Sequence, residues 1–482
     1  MVNPFQRRII HARTAEVSAA RRFERWSTHR RRSLVDVWAD ISPSRLLVSS
    51  FALLIVLGTL GLRLLPGLYT GERLGWVDSL FMATSAVCVT GLSVIDPAAD
   101  LTLAGQLWLL LLIQLGGLGL LTLTSGILLT VGRRLSLRHE ELVRSGAEAA
   151  PEVDYRELVR RVLRYTFLIE LAGAALLWAA TAPRLGAGAA VWPAVFHAVS
   201  AFCNAGFSVV PGNLATLRGD FPALTVIMTL IVMGGLGFLT LTEILPHGAG
   251  RWHRRRTSLH TRLVLVSTLV LLVGGAVTFG IFEWEHTLAG MPIHERILNA
   301  LFGSVTARTA GFNTVDYGAV SASTAFATIL LMFVGGAPGS TAGGVKVTTV
   351  ALLVVLALAR IRGQRHVSAF HRTIPEETIG RAIGIVVIAG MLLTGMLFLL
   401  LVVDPRAAAH GSFLRYMFEA TSAFATVGLS MNLTPELSPA GRLVIVVLMF
   451  VGRVGVMTLA AALTLERRAL PFRYAKEDVA IG

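Results

Sequence analysis

The sequence predicts an all-α integral membrane protein. Eight transmembrane helices are expected, as four parallel helix–pore loop–helix repeats with pseudo-fourfold symmetry around one axis. Three observations carry that expectation. Hydrophobic residues make up 54% of the 482 positions and charged residues 15%, with a mean hydropathy of +0.68. A soluble chain cannot bury that much apolar side chain, so several segments must face lipid. Arg-rich stretches alternate with apolar blocks, and two glycine patterns each recur four times. A soluble enzyme, a disordered scaffold and a disulfide-stapled domain are excluded. Cys88 and Cys203 are the only cysteines, so no disulfide framework is implied.

The charge pattern fixes the topology. Lys and Arg number 43 against 29 Asp and Glu, a net charge of +14. The basic residues gather in 1–45, Arg133–Arg164, Arg251–Arg262, Arg360–Arg381 and Arg467–Lys476. Residues 1–45 are too long and too charged for a secretory signal, and read as an Arg-rich cytoplasmic tail. Under the positive-inside rule all five stretches are cytoplasmic, and both termini with them. A nucleic-acid surface is the weaker reading of this arginine, because its alternation with lipid-length segments is explained by topology. Each apolar block then crosses the membrane an even number of times. The expected division is repeat one at 46–131, repeat two at 162–245, repeat three at 260–360 and repeat four at 379–465. Cytoplasmic linkers fill 132–161, 246–259 and 361–378, with a C-terminal tail at 466–482.

Each block has a long apolar helix, a short semi-apolar helix and a second long apolar helix. The short pieces cannot span about 30 Å of hydrocarbon and are read as re-entrant. They end in FMATSAVCVTGLS (81–93), FHAVSAFCNAGFS (196–208), LFGSVTARTAGFN (301–313) and FEATSAFATVGLS (418–430). Aligned on Gly91, Gly206, Gly311 and Gly428, the next two residues are Leu or Phe, then Ser or Asn. Ser85, Ser200 and Ser422 share a column in the short helix, with Val305 the exception. A second register, 24 to 28 residues beyond each glycine, reads GGLG at 116–119 and 234–237, GGAP at 335–338 and GRVG at 452–455. For this register, helix packing through small residues is an equal reading.

Every repeat starts and ends on a cytoplasmic stretch, so the repeats are parallel and inverted-repeat transporters are disfavoured. Four such units converge on a common axis. Irregular backbone at membrane depth survives only where it lines a cavity or is buried in protein. An extended strand after a short helix presents carbonyl oxygens that can replace the hydration shell of an alkali cation. Glycine supplies the backbone region closed to residues with a Cβ. The partly negative C-terminal ends of the short helices favour a cation further. The absence of carboxylates argues against a divalent-selective ring.

These segments, with GGAPGSTAGGVK in the third repeat and GRVG in the fourth, resemble the Trk/Ktr/HKT superfamily of potassium transporters over about residues 46–465. The absence of an extra helix pair ahead of the first repeat resembles the Ktr-type (KtrB-like) membrane subunit. The resemblance implies potassium uptake across the bacterial plasma (inner) membrane and no enzymatic activity. It implies a homodimer and a cytosolic RCK-type nucleotide-binding ring (KtrA-like or TrkA-like). Potassium is the substrate, no cofactor is covalently bound, no nucleic acid is a partner, and sodium as a coupled or activating ion stays open. The implied filter comprises Val89, Thr90 and Gly91; Asn204, Ala205 and Gly206; Thr309, Ala310 and Gly311; and Thr426, Val427 and Gly428. In relatives that favour sodium the first filter glycine is commonly Ser, so Gly91 implies the potassium form. A sodium-coupled or mixed sodium/potassium transporter is the alternative.

A gate is expected at the loop 335–344, comprising Gly335, Gly336, Pro338, Gly339, Ser340, Thr341, Gly343 and Gly344, with Lys346 just beyond it. So many glycines and prolines cannot propagate a helix, since Gly costs about 1 and Pro about 3 kcal/mol relative to Ala. The other repeats are expected to run uninterrupted. Arg453 is expected to reach the loop's free carbonyls, and Lys346 to add positive charge near the path. A fixed packing kink is the plainer reading. Asp96 and Asp316, each five residues after a filter glycine, are expected to face each other across the outer vestibule; solvated turn residues are the equal alternative. Arg308 is expected to hold the back of the filter through carbonyls or through Glu419. Glu170 reads as a proton or cation site, or as a hydrogen bond to a neighbouring helix. The cysteines read as buried core thiols, and His197 lacks ligand-spaced partners. An intramembrane enzyme is the rival class, and no Ser/His, Cys/His or paired-carboxylate arrangement supports it.

Overall fold

The computed structural model describes residues 43–130, 155–245, 257–408 and 411–463. The tail before residue 43, 131–154, 246–256 and the tail from 464 lie outside the described residues, and with them most of the basic stretches assigned to the cytoplasm. The first repeat contains α1 (Pro43–Leu64), α2 (Trp76–Val87) and α3 (Leu103–Thr130). The second contains α4 (Tyr155–Leu185), α5 (Ala187–Phe202), α6 (Phe221–Gly235) and α7 (Phe238–Ile244). The third contains α8 (Leu259–Glu283), α9 (Ile293–Thr306), α10 (Ala322–Phe333) and α11 (Val347–Ile361). The fourth contains α12 (Glu376–Val403), α13 (Ser412–Ala425), α14 (Pro439–Val454) and α15 (Val456–Leu463). The strands among the described residues are the short antiparallel pair β1 (Ser368–Ala369) and β2 (Arg372–Thr373), between repeats three and four.

The first helix of every repeat is long and apolar enough to cross a membrane: Arg45–Leu64, Val159–Leu185, Leu259–Glu283 and Glu376–Val403. These helices form the periphery. Only 11% of the apolar window of α12 is buried within the chain, against 39% for α1. Ile281, Met391 and Phe398 are strongly exposed, which fits lipid and not water.

The second helix of each repeat starts from a hydrogen-bonded cap. Thr102 Oγ1 accepts from the Gly105 N–H, Asp220 Oδ1 from Ala223, Ser321 Oγ from Thr324 and Ser438 Oγ from Gly441. Each such cap is worth about 1 kcal/mol. The helix then breaks at one column in all four repeats. Gly119 has φ 58° within α3, Gly237 has φ 79° between α6 and α7, and Gly455 has φ 87° between α14 and α15. The same column in repeat three is Pro338, inside the loop joining α10 to α11. The expectation that repeats one, two and four run uninterrupted is therefore corrected. The glycine at the fourth position of GGLG and GRVG adopts a backbone conformation closed to other residues, and a helix cannot pass through it. The bend between α6 and α7 is 109°.

The first glycine of the second register is a packing glycine. A Cβ on Gly116 would overlap the Val87 carbonyl, one on Gly234 the Phe202 carbonyl and one on Gly452 the Phe424 carbonyl. These carbonyls end the short helices α2, α5 and α13, so each long helix runs directly against the end of its own repeat's short helix. In repeat three Gly335 meets Gly343 of the loop instead.

The core sits around the four short helices, where Phe81, Phe196, Phe302 and Phe418 are all fully buried. Side-chain polar links join each neighbouring pair of repeats. Trp192 Nε1 donates to Gln106 Oε1 at 2.6 Å, joining two to one. Asn299 Nδ2 donates to the Arg218 carbonyl at 3.0 Å, joining three to two. Asn432 Nδ2 donates to Asp316 Oδ1 at 2.9 Å, joining four to three. The Arg442–Asp78 ion pair joins four back to one. The links run round the repeats in chain order and close.

Candidate functional site

Each short helix ends three to five residues before its glycine, and the chain then enters the same unusual backbone path. The residue two before the glycine is left-handed in every repeat: Val89 (φ 55°), Asn204 (59°), Thr309 (70°) and Thr426 (51°). Left-handed Val and Thr are outliers, each costing on the order of 1–3 kcal/mol, and such strain concentrates at functional segments. Gly91 (φ 95°), Gly206 (70°), Gly311 (80°) and Gly428 (95°) are left-handed again. Alternating hand keeps successive carbonyls on one side of the strand.

The four glycines form a closed ring. A Cβ on Gly91 would come within 3.1 Å of Gly206 Cα, one on Gly206 within 2.9 Å of Gly311 Cα, and one on Gly311 or Gly428 within 3.1 Å of Gly428 or Gly91 Cα respectively. Each would also collide with the carbonyl preceding the next glycine: Ala205, Ala310, Val427 and Thr90 in turn. Repeats one and three therefore face each other across the axis, as do two and four. Nothing larger than glycine fits without displacing a carbonyl.

The strands are anchored to their own short helices. The N–H of Thr90, Ala205 and Val427 donates to the carbonyl of Ser85, Ser200 and Ser422, at 2.7, 2.7 and 2.8 Å. In repeats one and four the serine hydroxyl also accepts from the glycine N–H, at 3.1 Å each. Ser200 Oγ instead donates to the Phe207 carbonyl at 2.8 Å. Repeat three has Val305 in this column, and Thr306 Oγ1 takes over by donating to the Phe312 carbonyl at 2.5 Å. These bonds engage strand N–H groups on the side of the short helix, and the carbonyls of Thr90, Ala205, Ala310 and Val427 lie beside the glycine ring. The hydroxyls of Thr90, Thr309 and Thr426 are buried without a partner among the described residues. Orphaned oxygens in this position fit a site that gives oxygen ligands to a cation.

The loop between α10 and α11 packs against this ring and bonds to repeats two and four. Ala337 and Thr341 donate their N–H groups to the Gly235 and Gly234 carbonyls at 2.9 and 3.3 Å, and Phe238 N donates back to Gly339 O at 3.1 Å. The break in repeat two thus supplies the loop's backbone partners. Thr341 Oγ1 donates to the Phe202 carbonyl at 3.2 Å. A Cβ on Gly343 would overlap the Thr426 side chain, so loop and ring are in van der Waals contact. Arg453 donates through Nη1 to the Thr341 carbonyl and through Nη2 to the Gly116 carbonyl, the latter at 2.6 Å. Lys346 Nζ turns back to the Ala342 carbonyl at 2.6 Å. Gly335 N donates to Val345 O at 2.8 Å and Val347 N to Gly336 O at 3.0 Å, pinching the loop's base. Pro338 and Ser340 complete its tip, where Ser340 Oγ accepts from Ala342 N at 3.3 Å.

Arg308 donates to the carbonyls of Thr268 and Gly335, both at 3.3 Å. It thereby joins α8 to the loop's base. Glu419 is not its partner: this carboxylate accepts from Ser430 Oγ at 2.7 Å and from Thr434 Oγ1. Glu170 accepts from Gln114 Nε2 on α3 at 3.0 Å, the hydrogen bond between neighbouring helices. Cys203 lies beside both groups, 3.5 Å from Gln114 Oε1 and 3.8 Å from Glu170 Oε1. Both cysteines are buried free thiols. Among the described residues no group of His, Cys, Asp or Glu could hold a metal ion. Asp96 and Asp316 are exposed caps of short turns, accepting from Ala98 N at 2.9 Å and Gly318 N at 2.8 Å. That is the local role of a turn residue, and Asp316 adds the link to Asn432.

Two features of the site went unread in the sequence. The break shared by all four second helices was signalled only by the fourth letter of GGLG and GRVG. The short-helix side chains that pair with Ser93, Ser208 and Ser430, namely Met82, His197 and Glu419, share no residue type and so carry no signal.

Four repeats meet at one ring of glycines, the third repeat's loop packs against that ring, and the first helix of each repeat is long and apolar enough to cross a membrane. A family model for TrkH, described as a cation transport protein, matches residues 19–469. The chain belongs to this family. It is 36% identical over 424 residues to the Ktr system potassium uptake protein B of Bacillus subtilis, covering 87% of this chain and 93% of that one. It is 35% identical over 447 residues to the potassium/sodium uptake protein NtpJ of Enterococcus hirae, covering 92% and 98%. The crystal structure of the potassium transporter TrkH from Vibrio parahaemolyticus shares the fold, with a TM-score of 0.70 at 18% identity, covering 90% of this chain and 86% of that one.

Proposed function

We propose that this chain is the potassium-translocating membrane subunit of a Ktr-type uptake system in the plasma membrane, with eight spans and cytoplasmic termini. The carrying observation is the closed ring of Gly91, Gly206, Gly311 and Gly428 with backbone carbonyls beside it. Carbonyls of the strands 89–91, 204–206, 309–311 and 426–428 replace the hydration shell of potassium, which moves down its electrochemical gradient. The ends of α2, α5, α9 and α13 add partial negative charge where the ion is dehydrated. The loop 335–344 closes the path beneath the ring. Arg453 tethers the loop in the closed state, and Lys346 discourages a cation from passing it. Asp96 and Asp316 raise the local cation concentration at the outer mouth. The chain works as a homodimer on a cytosolic RCK-type ring, whose nucleotide state moves the loop. The relatives named as Ktr system potassium uptake proteins support both substrate and partner.

A mixed potassium/sodium transporter is the second reading, favoured by the relative named for both ions. Potassium and sodium uptake, measured in cells lacking their own potassium uptake systems, separates the two. Potassium-selective rescue supports the first reading; equal uptake of both ions supports the second. No rescue by a well-expressed chain with its partner ring would remove both.

A further inference from the structure

A second anchor holds three of the four strands of the ring, and it differs between the two diagonals. The residue nine before each glycine, on the short helix, faces the residue two after it, on the strand beyond. In repeat four Glu419 is fully buried and accepts from Ser430 Oγ at 2.7 Å and from Thr434 Oγ1, which lies 3.1 Å from Ser430 Oγ. In repeat two the buried His197 ring pairs through Nε2 with Ser208 Oγ at 2.9 Å, and its Nδ1 is fixed on the Pro193 carbonyl at 2.7 Å. The same ring lies 6.2 Å from Phe312, the residue after the third glycine. In repeat one the pair is Met82 and Ser93, 3.3 Å apart, and a thioether is a weak acceptor. Repeat three has Phe302, which offers no acceptor, and Asn313 turns to its own strand at Val315 O, 3.2 Å away.

The ring order places repeats two and four opposite each other. One diagonal is therefore clamped at both ends of its strands, by the serine column below and a strong side-chain hydrogen bond above. The other diagonal is clamped below and only loosely above. Discrimination between two cations of different size needs carbonyls that cannot close onto the smaller one, whether size or field strength dominates. Strands tied at both ends meet that need.

We propose that Glu419 with Ser430, and His197 with Ser208, are positioning residues for ion selection: two opposed hydrogen-bonded clamps that fix the spacing of one diagonal of the ring. The proposal rests on the ring being the selectivity filter, and the test separates the two ideas. Potassium and sodium uptake is measured for the full chain with its partner ring in cells lacking their own potassium uptake systems. Ser208→Ala and Ser430→Ala each remove a clamp without leaving a buried charge on the strand. Each should lower the potassium-over-sodium preference by about threefold to tenfold, the scale of one lost buried hydrogen bond. The double variant should lose more than either, and Ser430→Thr should restore most of the preference. Ser93→Ala, on the loose diagonal, should have a clearly smaller effect. Gly428→Ser serves as the filter control. If it alters preference while Ser208→Ala and Ser430→Ala match wild type, the clamps are overturned and the filter stands. If Gly428→Ser also matches wild type, the filter reading falls and the clamps with it. An effect of Ser93→Ala as large as that of Ser430→Ala overturns the diagonal, and so does an equal fall in both fluxes at normal expression.

Discussion

Arg453 of the fourth repeat donates to the carbonyl of Thr341, at the centre of the third repeat's loop, while its other terminal nitrogen holds the Gly116 carbonyl of the first repeat. One guanidinium therefore spans the loop and the surrounding helices. Its guanidinium carbon also lies over the Phe51 ring, 5.9 Å from the centroid. Removing it leaves two carbonyls beside the loop without their charged donor. Hydrogen bonds to charged groups contribute about 1.5–3 kcal/mol, enough to shift an open–closed balance by about tenfold or more. Arg453→Ala should raise potassium flux in the absence of the partner ring. Arg453→Lys should only partly restore regulation, because an ammonium lacks the two-pronged geometry. Flux measured with and without the partner checks this; unchanged dependence on the partner in Arg453→Ala would count against the tether.

Deletion of 338–342 removes the loop's tip together with the Thr341 contacts to Gly234 and Phe202. It leaves the α10 and α11 caps in place. The shortened loop should no longer lie across the axis, so flux should rise and partner dependence weaken. Wild-type flux and regulation in a well-expressed deletion would identify the loop as a fixed packing kink.

Gly116, Gly234 and Gly452 make a stability prediction that does not depend on ions. Gly116→Ala places a Cβ on the Val87 carbonyl, which must move with the end of α2. Overpacking of this kind costs about 1–3 kcal/mol or more. Gly384→Ala in α12 meets nothing within 4 Å. It should be neutral or stabilising by up to about 1 kcal/mol, because alanine loses less backbone entropy in a helix. Thermal unfolding of the detergent-solubilised protein should lower the midpoint for the first variant only.

Asp96→Asn with Asp316→Asn removes two charges and keeps two caps, since Asn caps a turn as well as Asp does. If the acids steer cations, the apparent KM for potassium should rise at low ionic strength. The effect should shrink above about 0.1 M salt, where charges are screened beyond about 10 Å. A salt-independent change, or none, would leave both residues as turn caps alone.

The meeting of the four glycine segments is legible in the sequence because their surroundings repeat along with them. Ser85, Ser200 and Ser422 share a column for a reason the spacing cannot give: their backbone and hydroxyl groups hold the strand. The breaks at Gly119, Gly237 and Gly455 were illegible because a lone glycine in an apolar helix reads equally as a packing residue. Gly116 is one, and Gly119, three positions on, is a break. Only the backbone angle separates them. Met82, His197, Phe302 and Glu419 occupy one column with four chemistries, so no pattern search joins them to residues 93, 208, 313 and 430. Arg308 illustrates the same limit: the sequence leaves its partner open between carbonyls and Glu419, and the structure satisfies it with the carbonyls of Thr268 and Gly335.

The central claim is that the glycine ring chooses the ion, and Gly91→Ser tests it most directly. A side chain at Gly91 collides with the Ala205 carbonyl at a φ of 95°, so the strand must shift and one quarter of the ring loses its geometry. Potassium and sodium uptake are compared for wild type and Gly91→Ser at matched expression, with the partner ring present. The account predicts that potassium preference falls while sodium uptake persists or rises. Unchanged preference in a well-expressed Gly91→Ser chain would contradict it.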